Sequence, residues 1–179
     1  MNDQTRHPAL EAVQHWRTLH QPINAPLALR RWLTDQGSLT RLLQRASKGR
    51  FSVRVLRQRY ALPGPNERVT LGMRSREYAL IREVLLCADG EPWVYARTVI
   101  PTPTLTGRQR TLRLIGSRSL GSLLFSDPSM RRAPLQVARI ANGQNPPLWA
   151  RRSLFYLENK PLLVCEVFLP PLEGIQYPR

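Results

Sequence analysis

From Ser38 onward, Leu39, Leu42, Leu43 and Ala46 recur at three- and four-residue spacing, which predicts a helix with Ser38 as N-cap and Gly49 at its end. A shorter helix is predicted from Pro26 to Asp35, with Leu29, Trp32 and Leu33 inward. An earlier one has Pro8 in its first turn and Leu10, Val13 and Trp16 as its stripe. The period then drops to two. Phe51, Val53 and Val55 alternate with Ser52 and Arg54, the pattern of a half-buried strand, and Pro63-Gly64-Pro65-Asn66 reads as a loop. Between Glu77 and Pro101 two β-rich runs flank Asp89-Gly90, which suits a primed hairpin turn. A helical interlude is predicted from Leu105 to about Gly116 and again from Leu120 to Phe125. A strand from Pro134 to Ala141 leads to Asn142-Gly143. A second hairpin pairs Leu148 to Leu157 with Pro161 to Leu169 around Glu158-Asn159-Lys160. This pattern predicts one α+β domain over residues 1–179, with about six antiparallel strands and helices segregated from them.

Strand alternation also isolates two charges. In the first hairpin Tyr78, Leu80, Arg82, Val84 and Leu86 share a face, and Arg82 is the only charge in that row. In the last strand Leu162, Val164, Glu166 and Phe168 share a face, with Glu166 the lone charge. A charge so placed costs several kcal/mol unless it is paired or binds something polar. Two readings follow: a structural ion pair, between Arg82 and Glu166 or between each and another neighbour, or a ligand cavity. In the cavity, Arg82 grips a carboxylate through its fork and Glu166 accepts from a hydroxyl.

Composition narrows the chemistry. The formal charge of +15 raises nucleic-acid binding. The basic residues, however, are nearly all arginine and run from Arg6 to Arg179 without a lysine-rich tail, a Gly-Arg repeat or interleaved aromatics. A solvated basic surface that attracts anionic metabolites accounts for them. His7, His15 and His20 lie in the N-terminal region at spacing unsuited to a metal site. No cysteine or histidine cluster, Gly-rich phosphate loop or serine elbow occurs, so neither a metal nor a nucleotide cofactor is implied. Cys87 and Cys165 each sit in apolar runs, as reduced cysteines do. The longest apolar stretch, Pro161 to Leu172, is interrupted by Glu166 and prolines and is too short to span a bilayer. With no export or import signal in MNDQTRHPAL, a cytoplasmic location is expected.

Several motifs, in order, resemble one family. Leu85-Leu86-Cys87-Ala88-Asp89-Gly90-Glu91-Pro92-Trp93 and Ala96-Arg97-Thr98-Val99-Ile100-Pro101 are followed by Leu120-Gly121 with Leu124-Phe125 and by Leu148-Trp149-Ala150-Arg151-Arg152-Ser153. Lys160-Pro161-Leu162-Leu163 then leads through Glu166 to Phe168-Leu169-Pro170. Over roughly Pro26 to Pro170 the chain is similar to bacterial chorismate pyruvate-lyase. The resemblance implies a monomeric, cofactor-independent enzyme with a six-stranded antiparallel sheet and helices on one side forming flaps over a buried pocket. Its reaction takes chorismate to 4-hydroxybenzoate and pyruvate, toward ubiquinone. Enclosure of a flat aromatic product by flaps leads us to expect product inhibition, and the charge distribution and short apolar stretches lead us to expect no nucleic-acid or membrane partner. Carried over by position, Arg82 holds the ring carboxylate, Glu166 meets the 4-hydroxyl, Leu120 contributes a backbone contact and Leu39 lines the flap. At the Leu39 position the family carries methionine, and that swap roughly preserves volume. Arg76, Arg97, Arg151 and Arg152 are candidates for a second carboxylate. Whether Glu166 acts as a base or only orients the hydroxyl stays open. The rival reading is a non-catalytic module of the same fold that binds an aromatic carboxylate.

Overall fold

The protein was studied as a computed structural model that describes residues 15–19 and 23–178. In chain order it contains β1 (Arg17–Thr18), α1 (Leu27–Thr34), α2 (Leu39–Ala46), β2 (Phe51–Ala61), α3 (Pro65–Leu71), β3 (Ala79–Ala88) and β4 (Glu91–Pro101). There follow 3-10 turns at Thr102–Thr104 and Gly107–Leu114, then α4 (Leu120–Ser126), β5 (Arg131–Arg132), β6 (Gln136–Asn142), β7 (Asn145–Leu157), β8 (Lys160–Phe168) and α5 (Pro170–Glu173). The strands form one antiparallel sheet in the order β1-β6-β7-β8-β4-β3-β2, with β5 paired to β7. The α+β class holds. Among the described residues the sheet has eight strands rather than six, because β1 and β5, two residues each, are too short to leave a period in the sequence.

Both predicted hairpins form. Asp89 and Gly90 take φ of 50° and 78°, and Glu158 and Asn159 take 48° and 65°, the left-handed pairs that let a two-residue turn follow the strand twist. Ser38 caps α2 by accepting from Arg41 N, as expected. Two expectations need correction. The segment read as a loop at Pro63-Gly64-Pro65-Asn66 instead starts α3: Pro65 occupies the first turn, and Glu67 reaches back to accept from Gly64 N at 2.9 Å. The interlude after Leu105 is 3-10 rather than α-helical as far as Leu114, and only α4 is a true helix. The helix expected around Leu10, Val13 and Trp16 falls almost wholly outside the described residues, and Arg17–Thr18 just beyond it is strand.

The sheet is covered on both faces. One face carries Val84, Leu86, Val94, Ala96 and Phe168, packed under α1 and α2, and Leu80, Ile100, Phe155 and Leu162, packed under α4. On the other face Ile81, Leu85, Tyr95, Val99, Cys165 and Val167 pack with Leu71 of α3. The flap-bearing helices thus share one side, as expected, and α3 is the exception behind the sheet. Cover on both faces explains why β3 is buried at all ten positions and alternates so little in sequence.

Candidate active site

The cavity lies on the α1, α2 and α4 side. Leu39 and Thr40 of α2 and Leu120 and Gly121 of α4 overhang it, and Arg82, Thr98, Glu166 and Arg151 rise from its floor. The cavity volume is about 50 Å³. The two overhanging helices start alike. Ser38-Leu39-Thr40 and Ser119-Leu120-Gly121 each use a serine hydroxyl as N-cap, accepting from Arg41 N and Ser122 N. The two starts also join: Thr40 Oγ1 and Ser119 Oγ are 2.6 Å apart. A Cβ on Gly121 would sit 2.6 Å from Thr40 Oγ1, so only glycine permits this approach.

The register sets the spacing of the floor charges. Arg82 pairs with Thr98, Thr98 with Val164, and Ala96 with Glu166. Arg82 and Glu166 therefore face the same way from strands separated by β4, with backbones roughly 12 Å apart. No ion pair joins them among the described residues. Glu166 is bonded instead to its direct cross-strand neighbour: Arg151 Nε donates to Glu166 Oε2 at 2.6 Å, and Arg151 Nη1 donates to the carbonyls of Trp32 and Asp35 at the end of α1. Of the two sequence readings of the ion pair, the direct Arg82–Glu166 version is corrected, and a pair with another neighbour holds for Glu166.

Arg82 is 3% exposed, and its Nη2 donates to the carbonyls of Gly116 and Arg118 at 2.9 and 3.0 Å. Its Nη1 is buried with no hydrogen-bond partner among the described residues. Burial lowers the guanidinium's pKa, the signature of a cation without a counter-charge. One edge of the fork is held by the chain and the other is left for a ligand.

The four candidate arginines separate. Arg151 reaches the cavity. Arg76 is exposed and does not line it. Arg97 and Arg152 point to the opposite face. Arg97 Nε donates to Glu67 of α3 at 2.7 Å, and its Nη1 lies 3.3 Å from Glu83. Tyr95 and Arg57 also donate to Glu83. Arg152 bonds Gln136 and Asn66 and stacks over Trp16. These contacts tie the back of the sheet together. One functional candidate escaped the sequence: Arg132, in the two-residue β5, lines the cavity beside Phe125 and Phe155.

Fold and cavity together define an α+β domain with a pocket beneath its helices that three arginines and one glutamate line. The chorismate lyase family profile matches residues 10–173, and the chain belongs to that family. A relative from Marinobacter nauticus, described as a probable chorismate pyruvate-lyase, is 46% identical over 144 residues, covering 80% of this chain and 77% of the relative. One of the same description from Azoarcus sp. is 45% identical over 187 residues, covering 95% and 97%. Among solved structures, a GntR-family transcriptional regulator from Bacillus cereus aligns with a TM-score of 0.54 at 12% identity, over 73% of this chain and 97% of that one. The effector domain of PhnF from Mycobacterium smegmatis aligns at 0.51 and 14%, over 76% and 91%. These two likenesses show a shared fold. Among the described residues, no helix is long and apolar enough to cross a membrane.

Proposed function

We propose that the chain eliminates pyruvate from chorismate to leave 4-hydroxybenzoate, the aromatic acid used for ubiquinone. Family membership supports the reaction, and the unpartnered Nη1 of Arg82 in the cavity floor is the observation that carries the site reading. In this reading Arg82 takes the ring carboxylate and the Leu120 backbone contributes a further contact. Leu39 and Leu120 close over the ring, and Glu166, steadied by Arg151, receives the hydroxyl on C4.

The reaction breaks the C3–O ether bond and removes the hydrogen from C4. The C4–H electrons become the new ring double bond, and the ether oxygen leaves as the keto oxygen of pyruvate. That hydrogen reaches the enolpyruvyl methylene either in one concerted step or through a base, the second route giving Glu166 that role. Aromatisation supplies the driving force, so holding the substrate in the reactive geometry is the chief task of the protein. No metal or nucleotide enters this scheme. A monomer working in the cytoplasm, without nucleic acid, fits it. The flaps enclose a flat aromatic product, so release is slow and product inhibits. Matching initial-velocity and single-turnover rates would remove that last point.

The test is to incubate the purified protein with chorismate, without added metal or nucleotide, and to measure 4-hydroxybenzoate and pyruvate. Equal amounts of both are expected. No turnover combined with tight 4-hydroxybenzoate binding would assign the chain to the non-catalytic sensor class instead.

A further inference from the structure

Arg132 is a half-buried cation that the reaction scheme above leaves unused. It belongs to β5 and pairs with Phe155 at the edge of β7, beyond Arg151. Across the cavity floor the order is therefore Arg82 on β3, Glu166 on β8, Arg151 on β7 and Arg132 on β5. Its Nε donates to Ser153 Oγ at 2.8 Å and its Nη1 to the carbonyl of Gln36 at 2.9 Å. The guanidinium carbon lies 5.1 Å from the centre of the Phe155 ring. No bond takes up Nη2 among the described residues, and no carboxylate pairs with the group. Burial, with Arg151 adding repulsion, lowers its pKa to about 10, against a smaller attraction from Glu166 and Asp35. A planar cation held by its neighbours without a direct ion pair is a site for an anion.

Resting on the reaction proposed above, we infer that Arg132 binds the enolpyruvyl carboxylate of the substrate. Chorismate carries its ring carboxylate on C1, its hydroxyl on C4 and its enolpyruvyl ether on C3, next to C4. With the C1 carboxylate on Arg82 and the C4 hydroxyl at Glu166, the side chain on C3 extends away from Arg82, past Glu166. In strand order Arg132 lies on that side, two strands beyond Glu166. Arg151 is nearer but already committed to Glu166 and two carbonyls. Arg132 therefore recognises the part of the substrate that leaves as pyruvate, and the aromatic product never touches it.

This assignment separates substrate from product, and the experiment uses that separation. In Arg132→Gln, kcat/KM for chorismate should fall roughly 30-fold or more, while the Kd for 4-hydroxybenzoate stays within about twofold of wild type. Retained product binding also reports that the cavity is folded. A parallel loss of product affinity would make Arg132 a support of the whole pocket and overturn the inference, as would an unchanged kcat/KM. If Arg132→Gln does not fold, the same two readouts in Arg132→Lys decide, with a smaller loss of kcat/KM expected. A wild-type protein that does not turn chorismate over would instead sink the proposed reaction, and is distinguished by failing before any variant is compared.

Discussion

Arg151 Nε donates to Glu166 Oε2 at 2.6 Å, while Arg82, on the far side of β4, donates to the backbone carbonyls of Gly116 and Arg118. The carboxylate of the cavity thus arrives with its own cation, and Arg82 remains available. Removing one member of a buried pair leaves the other uncompensated, typically at a cost of about 3–5 kcal/mol. Arg151→Met should destabilise the fold by about that amount in equilibrium urea unfolding, since it also strips two carbonyls at the end of α1. Glu166→Gln keeps an acceptor for Arg151 Nε, so it should cost less stability and still abolish most turnover. A wild-type rate in Glu166→Gln would remove Glu166 from the chemistry.

Arg82 should show the opposite balance. Its charge is desolvated without a counter-ion, and the two carbonyls it holds belong to exposed residues, Gly116 and Arg118, which can turn to water. Arg82→Met is therefore expected to change unfolding stability by no more than about 1 kcal/mol. Affinity for 4-hydroxybenzoate should fall on the order of a hundredfold. A large stability loss with intact ligand binding would make Arg82 structural.

The joint between the flaps gives a third test. Because a Cβ at Gly121 meets Thr40 Oγ1 at 2.6 Å, Gly121→Ala must push α4 from α2 or expel the Thr40 hydroxyl. Faster release and weaker binding of 4-hydroxybenzoate are expected, measured by stopped-flow displacement. Adding Thr40→Ala removes the clashing atom and should recover part of the affinity. No recovery would place the damage elsewhere.

Cys165 provides a pH test away from the site. Burial pushes its thiol up from 9.0 to about 12. An unfolded chain ionises first, so stability from this group is intact below pH 9 and drains as pH rises toward 12, at up to about 1.4 kcal/mol per pH unit. Cys165→Ala should flatten the fall of the urea midpoint between pH 9 and 11 relative to wild type. An unchanged slope would contradict it.

Much of this was legible in the residues. The two hairpins were readable because Asp89-Gly90 and Glu158-Asn159 are local turn chemistry, and Arg82 and Glu166 stood out because alternation exposes a charge in an apolar row. What escaped depends on long-range placement. The partner of Glu166 was hidden because β7 pairs Arg151 with it through register, and Arg151 and Arg152 are indistinguishable until alternation is anchored. Arg132 was hidden because a two-residue strand has no period. The first turn of α3 was obscured by its prolines, which mark loops and helix starts equally.

The sheet also has a seam. β2, β3 and β4 come from the first part of the chain and β6, β7 and β8 from the last, and these two sets of strands are joined where β4 pairs β8, as at Thr98 and Val164, while β1 pairs β6 at the far edge. Arg82 stands on one side of that line, and Glu166, Arg151 and Arg132 on the other. A molecule held by both sides would therefore tie together segments far apart in sequence, and its occupancy would act as a removable strut between the early and late parts of the chain.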